Sequence, residues 1–162
     1  MARIKKTELL ACIVEALHNN LAVFDKAARA AHAEATHESS KAENKYDTRG
    51  LEAAYLAGGQ ARQAREIQES IKVFRALHLK ELGATEPIDL SAVVELETDR
   101  AIRTYFIGPR SGGLEVDYEG TEIIVLTPQS PLGQQLMGKH AGQRWTANFN
   151  GSRTSYRIVS VT

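Results

Sequence analysis

From Thr7 to about His37 the apolar positions recur at helical intervals: Leu10, Ile13, Leu17, Phe24, Ala28, Ala31 and Ala35. Steps of three, four and seven residues make a heptad stripe, the signature of a helix that buries one face against another helix. Glu8 falls in the first turn, where a carboxylate favours the helix dipole. No Pro or Gly interrupts the run before Gly50. A second helical pattern extends from about Ala42 to Leu82, with a stripe of Leu51, Ala54, Ala61, Ala64, Ile67, Ile71 and Phe74 and a stop at Gly83. The spacing is less regular than in the first helix, so a stutter is expected near Gly58 and Gly59, each of which also costs the helix roughly 1 kcal/mol relative to Ala. Only the residues around Glu38 to Lys41 are left to turn the chain, and a short connection joins antiparallel neighbours. The pattern predicts a slim hairpin, Ala-rich toward its tip and bulkier at its base.

Beyond "GATEPIDL" the period changes to two. "SAVVELE", "IRTYFIG", "LEVDY", "EIIVLT", "RWTANFN" and "SYRIVSV" read as short strands bounded by Gly, Pro, Asp and Asn. Asn150-Gly151 is a hairpin turn signal between the last two. "SPLGQQLMGKHAG" reads as a short helix, with Ser130 as N-cap and Pro131 at the first helical position. The fold class expected is α+β, with a helical hairpin over 1–82, a linker at 83–89 and a small antiparallel sheet domain with one short helix over 90–162.

Charge changes this picture little. The 162 residues balance 20 Lys and Arg against 20 Asp and Glu, so bulk electrostatics selects neither nucleic acid nor an anionic membrane. The single cysteine, Cys12, excludes an internal disulfide and a multi-cysteine metal site, and it reads as a small packed side chain. The five histidines have no metal-ligand spacing. No segment reaches the ~20 apolar residues of a membrane span, so a cytoplasmic protein is expected.

The residues from Ser130 onward carry a family resemblance. Ser130, Pro131, Leu132, Leu136, Met137, Gly138 and Lys139, followed by Tyr156, Ile158, Val159 and Val161, resemble the C-terminal segment of the Gre family of bacterial transcript cleavage factors. In that family Ser-Pro-(Ile/Leu)-x-x-x-Leu-(Ile/Leu)-Gly-Lys leads through a Gly-containing turn to a strand ending Tyr-x-Ile-Val-x-Val. The order of helical and sheet domains matches as well. The resemblance implies an FKBP-like C-terminal domain that docks on the rim of RNA polymerase's secondary channel, with Ser130, Pro131 and Leu132 at the contact. It also implies a helical tip delivered to the polymerase active centre, so that the protein acts on another enzyme's catalytic site and is not itself an enzyme.

In cleavage-active members the tip reads roughly Gly-Asp-Leu-x-Glu-Asn-Ala-Glu-Tyr, and its Asp and first Glu help hold a Mg²⁺ shared with the polymerase. Carboxylates suit that task because Mg²⁺ takes oxygen ligands in octahedral geometry, and two metals clamp the attacking and leaving oxygens of an in-line displacement. Here Glu43 and Asn44 keep the Glu-Asn pair, Ser40 stands at the Asp position, and Lys45-Tyr46 replace Ala-Glu. Glu38 or Asp47 can supply the second acid, while Lys41 and Lys45 oppose cation binding. The same acids also read as a solvated tip with local ion pairs. No metal is expected to be held by the chain alone.

Arg62, Arg65, Lys72 and Arg75 line one face of the second helix. By resemblance they face the 3′ end of the nascent RNA, as a cationic stripe attracts phosphate. They read equally as a solubilising face partnered by Glu66 and Glu69. Three other functions stay open: a non-cleaving regulator that occupies the same channel, an FKBP-like peptidyl-prolyl isomerase or chaperone, and a plain coiled-coil interaction protein. An isomerase needs a concave aromatic cluster, and Tyr105, Phe106, Tyr118, Trp145, Phe149 and Tyr156 read mostly as strand core.

Overall fold

A computed structural model describes residues 3–37, 41–43, 45–46 and 48–162. Two long helices, α1 (Lys6–Thr36) and α2 (Arg49–Arg75), precede strands β1 (Val93–Thr98), β2 (Ile102–Ile107), β3 (Glu115–Tyr118) and β4 (Thr121–Leu126). A short helix α3 (Pro131–Leu136) and strands β5 (Arg144–Phe149) and β6 (Ser152–Val161) complete the chain. The chain forms two compact units: Glu15–Lys72, and Met1–Val14 with Val73–Thr162. The start of α1 and the end of α2 thus belong to one unit, and the rest of both helices to the other. The α1 stripe is packed as its spacing predicts, with Ile13, Leu17 and Ala31 buried and Leu9 more deeply covered than Leu10.

The second helix differs from its expected form in three ways. It begins at Arg49, after Thr48, whose carbonyl accepts from Glu52 N (2.8 Å) and whose hydroxyl donates to the Glu52 carboxylate (2.9 Å). It ends at Arg75 and not at Leu82, because the backbone beyond is claimed by the sheet unit: Lys80 N donates to Ser91 Oγ at 2.8 Å. Its buried apolar positions are Ala53, Ala64, Ile71 and Phe74, with Ala57, Gln60 and Ile67 half-buried between them, whereas Leu51 and Ala54 are exposed. Alternating steps of four and three run unbroken through Gly58 and Gly59, so there is no stutter.

The sheet has six strands in the order β3-β4-β2-β1-β6-β5. All pairs are antiparallel except β2 and β4, which run parallel with Thr104 opposite Ile123 and Ile107 opposite Leu126. The connection between β2 and β4 adds β3 at the outer edge, so the sheet is antiparallel as expected but for this one pair. Asn150 and Gly151 both have positive φ (50° and 78°), as a type I′ hairpin requires. Glu119 and Gly120 (51° and 81°) form a second such turn that the sequence pattern does not announce; there Gly120 N donates to Asp117 Oδ1 at 3.0 Å.

One face of the sheet packs Val94, Leu96, Tyr105, Ile107, Leu126, Ile158 and Val161 with Leu136 of α3. Elsewhere in this unit, a methyl added to Gly108 would stand 3.1 Å from the Phe74 ring and 2.8 Å from Val125, so the glycine makes room for the last turn of α2. Residues 83–89, read as a linker, fall inside the sheet unit. Ile88 is buried there, its N–H donating to Lys139 O (2.8 Å) and its carbonyl accepting from Gly138 N (3.0 Å). The N-terminal residues join the same unit. Tyr118 donates to Glu8 (2.8 Å), Arg3 pairs with Glu81 (3.0 Å), and the buried Lys6 ammonium donates to the Lys80 carbonyl.

Candidate functional site

The residues singled out by their chemistry fall in separate places. At the tip, Lys41, Glu43, Lys45 and Tyr46 are exposed, and the Lys45 ammonium lies 4.9 Å from the centre of the Tyr46 ring. Glu38, Ser40, Asn44 and Asp47 lie outside the described residues. Among the described residues no group of three or more His, Cys, Asp or Glu could hold a metal ion. One described carboxylate between two lysines in sequence is not by itself the donor set of a hard cation.

Arg62, Arg65, Lys72 and Arg75 are all exposed on α2. Lys72 pairs with Glu69 at 3.7 Å, and Arg75 is engaged as well. Arg62 and Arg65 instead line a shallow cleft of ≈ 360 Å³ with Leu51, Ala54, Tyr55 and Gly58. Sequence reasoning placed Leu51 and Ala54 in the core and passed over Tyr55; the structure puts all three on the surface. The signal was present, since Leu51, Tyr55, Gly58, Arg62 and Arg65 repeat at steps of four, three, four and three.

At the start of α3, Ser130 Oγ accepts from Gly133 N (3.0 Å) and donates to Thr127 O (2.8 Å). A Cβ at Gly133 would stand 1.9 Å from Thr127 O, so this glycine is required for the loop to close under the helix. Pro131 is exposed, whereas Leu132 is half-buried against the core. Of the three residues expected at the contact, Pro131 alone points fully to solvent. Gln134 and Gln135 share its exposure and escaped the motif because they occupy its variable positions. Gln134 Nε2 is held by the Gln129 carbonyl at 3.0 Å.

The aromatic residues of the sheet mostly satisfy one another. Trp145 stacks on Tyr156 (centroids 5.1 Å, 16° between planes), and Phe149 meets Tyr156 edge-on at 6.0 Å. The Lys139 ammonium lies 5.2 Å from the Trp145 ring centre. Tyr105, Phe106 and Tyr118 are buried, and burial leaves the Tyr105 hydroxyl harder to ionise than usual, against the opposing pull of the Arg103 guanidinium. The cleft of ≈ 510 Å³ beside Trp145 and Tyr156 is lined by Glu97, Asp99, Arg144 and Arg157 as well, a charged rim unlike the apolar cradle a proline ring needs.

No family model and no curated protein matches the chain. Solved structures do. Among them are GreA factor homologs and a GreA/GreB factor. The crystal structure of GreA factor homolog 1 (Gfh1) of Thermus thermophilus is 21% identical over 92% of this chain and 94% of that one, with a TM-score of 0.37. Gfh1 of Thermus aquaticus is 24% identical over 91% and 92%, also with a TM-score of 0.37. The elongation factor GreA/GreB of Nitrosomonas europaea is 17% identical over 61% of this chain and 78% of that one, with a TM-score of 0.34. At TM-scores this low, none of them fixes where a residue of this chain acts. Among the described residues no helix is long and apolar enough to cross a membrane.

Proposed function

We propose that this chain is a Gre-type transcription factor that binds RNA polymerase at its secondary channel and brings its helical tip to the polymerase's active centre. The observation that carries this reading is the order of parts around the Ser130–Lys139 motif. A long helical pair is followed by a sheet unit in which Ser130 caps α3, Pro131 stands exposed at its start, and Gly138 and Lys139 close onto Ile88. The segment with the family resemblance is therefore a rigid, surface-presented corner, suited to dock on a rim.

In this reading Pro131 and Gln135 meet the rim, while Glu43 is the tip residue that changes what the polymerase does. The protein holds no metal of its own and catalyses nothing alone; any Mg²⁺ at the tip belongs to the polymerase and is shared. With one described carboxylate flanked by lysines, Glu43 modulates elongation or cleavage by occupying the channel.

The test is a transcript assay on stalled, backtracked polymerase complexes, with competition against a known secondary-channel factor. Wild type is expected to displace the competitor and alter the RNA products. Glu43→Ala should still displace it but lose the effect on RNA. Pro131→Glu should weaken displacement by about tenfold, as an anchor at the centre of an interface does. No displacement by folded wild type would refute the reading. Shortened RNA that requires Glu43 would establish cleavage; altered pausing without shortened RNA would establish the non-cleaving regulator.

A further inference from the structure

Within the unit Glu15–Lys72 the helix α2 has two seams, and only one is covered. Ala53, Ala57, Gln60 and Ala64 form the covered seam. Opposite it, Leu51, Tyr55, Gly58 and Arg62 lie roughly 140–180° around the helix from Ala53, at about 100° per residue. Leu51 is 59% and Tyr55 75% exposed. Large apolar side chains left this open in register mark an interaction surface more often than chance scatter does.

The geometry is that of a coiled-coil acceptor. Leu51, Ala54, Tyr55 and Gly58 stand at i, i+3, i+4 and i+7, the four corners of a hole that receives one knob from a facing helix. Nothing lies within 4 Å of where a Gly58 side chain would begin, so the hole is open at that corner. Arg62 and Arg65 continue the same cleft. Among the described residues neither arginine has an ion pair, whereas Arg29 and Lys72 pair with Asp25 and Glu69 on their own helices.

We propose that this outward seam of α2 docks one amphipathic α-helix of a partner protein. An apolar side chain of that helix enters the Leu51–Gly58 hole, and its carboxylates meet Arg62 and Arg65. The arginines select the sign of the partner's charge, and the hole selects its helical form. A nucleic-acid strand would answer the arginines and could stack on Tyr55, but it would leave Leu51 and Ala54 uncovered. The inference stands on the seam alone and is independent of the polymerase reading.

The experiment uses full-length protein and two labelled synthetic helices of about three heptads with Leu seams, one flanked by Glu and one by Lys. Fluorescence anisotropy should show wild type binding the Glu helix at least about tenfold more tightly than the Lys helix. Leu51→Lys/Tyr55→Lys should lose that binding with its circular dichroism unchanged, since both side chains are exposed. Arg62→Glu/Arg65→Glu should reverse the preference toward the Lys helix. No binding by folded wild type, equal binding of the two helices, or binding that survives Leu51→Lys/Tyr55→Lys would overturn the proposal. So would binding of an oligouridylate that the same variants abolish, or a concentration-dependent dimer in sedimentation that they abolish, because either names a different occupant.

Discussion

Two glycines show how different the demands on one residue type can be. At Gly133 an added methyl would meet backbone, the Thr127 carbonyl oxygen at 1.9 Å. Something must shift, so Gly133→Ala is expected to cost about 1–3 kcal/mol, the usual range for forced overpacking. At Gly59 nothing lies within 4 Å and the residue is mid-helix. Gly59→Ala should therefore stabilise by roughly 0.5–1 kcal/mol, through lost freedom in the unfolded chain. Urea midpoints read both; a Gly133→Ala variant as stable as wild type would mean that the loop before α3 is not built as described. Ser130 belongs with Gly133. Its hydroxyl caps α3 and ties back to Thr127, so Ser130→Ala is expected to cost about 1 kcal/mol whatever it also does at a partner's surface.

At the scale of elements, the strands were legible and one helix was not. All six β-rich runs became strands because β-branched and aromatic residues alternate and are cut by turn pairs such as Asn150-Gly151. The parallel β2–β4 pairing left no trace in the sequence, since it follows from where the chain crosses and not from what either strand contains. In α2 the seam from Ala64 to Phe74 was placed correctly, but the bulky Leu51 drew its first turns to the wrong side, where the true seam is built of Ala53 and Ala57 with the polar Gln60. Small residues say little about burial when read alone. Residues 76–82 read as helix by propensity, yet the bond from Lys80 N to Ser91 Oγ and the buried Lys6 ammonium on the Lys80 carbonyl hold that backbone elsewhere. The candidate site was legible in kind only: the motif located the start of α3, but Leu132 proved half core and Gln135 went unnoticed.

For the whole molecule, acid is the informative stress. The Lys5 ammonium and the Tyr118 hydroxyl bonded to Glu8 hold its carboxyl below the usual range, Lys80 does the same for Asp89, and Arg157 for Glu97. A group whose folded pKa is depressed contributes stability above its unfolded pKa and loses it as pH falls through the folded value. The unfolded values are near 4.5 for Glu8 and Glu97 and 3.8 for Asp89, so the loss should begin below about pH 4.5 and continue downward. All three acids and the only tryptophan, Trp145, lie in the sheet unit. Urea unfolding followed by Trp fluorescence should show midpoints falling from pH 6 toward about pH 3. In Glu8→Gln/Asp89→Asn/Glu97→Gln the profile should be flatter. An equally steep profile in that variant would place the acid sensitivity elsewhere.

The membership of that unit, Met1–Val14 together with Val73–Thr162, means that its continuity in space does not depend on continuity of the peptide. A protease that nicks the chain at Lys41 or Lys45 separates two segments which the Glu8–Tyr118 bond, the Arg3–Glu81 pair and the buried Leu9 and Ile13 still hold together. The nicked protein should elute as one particle on gel filtration, separate only in denaturant, and re-form when the two pieces are mixed.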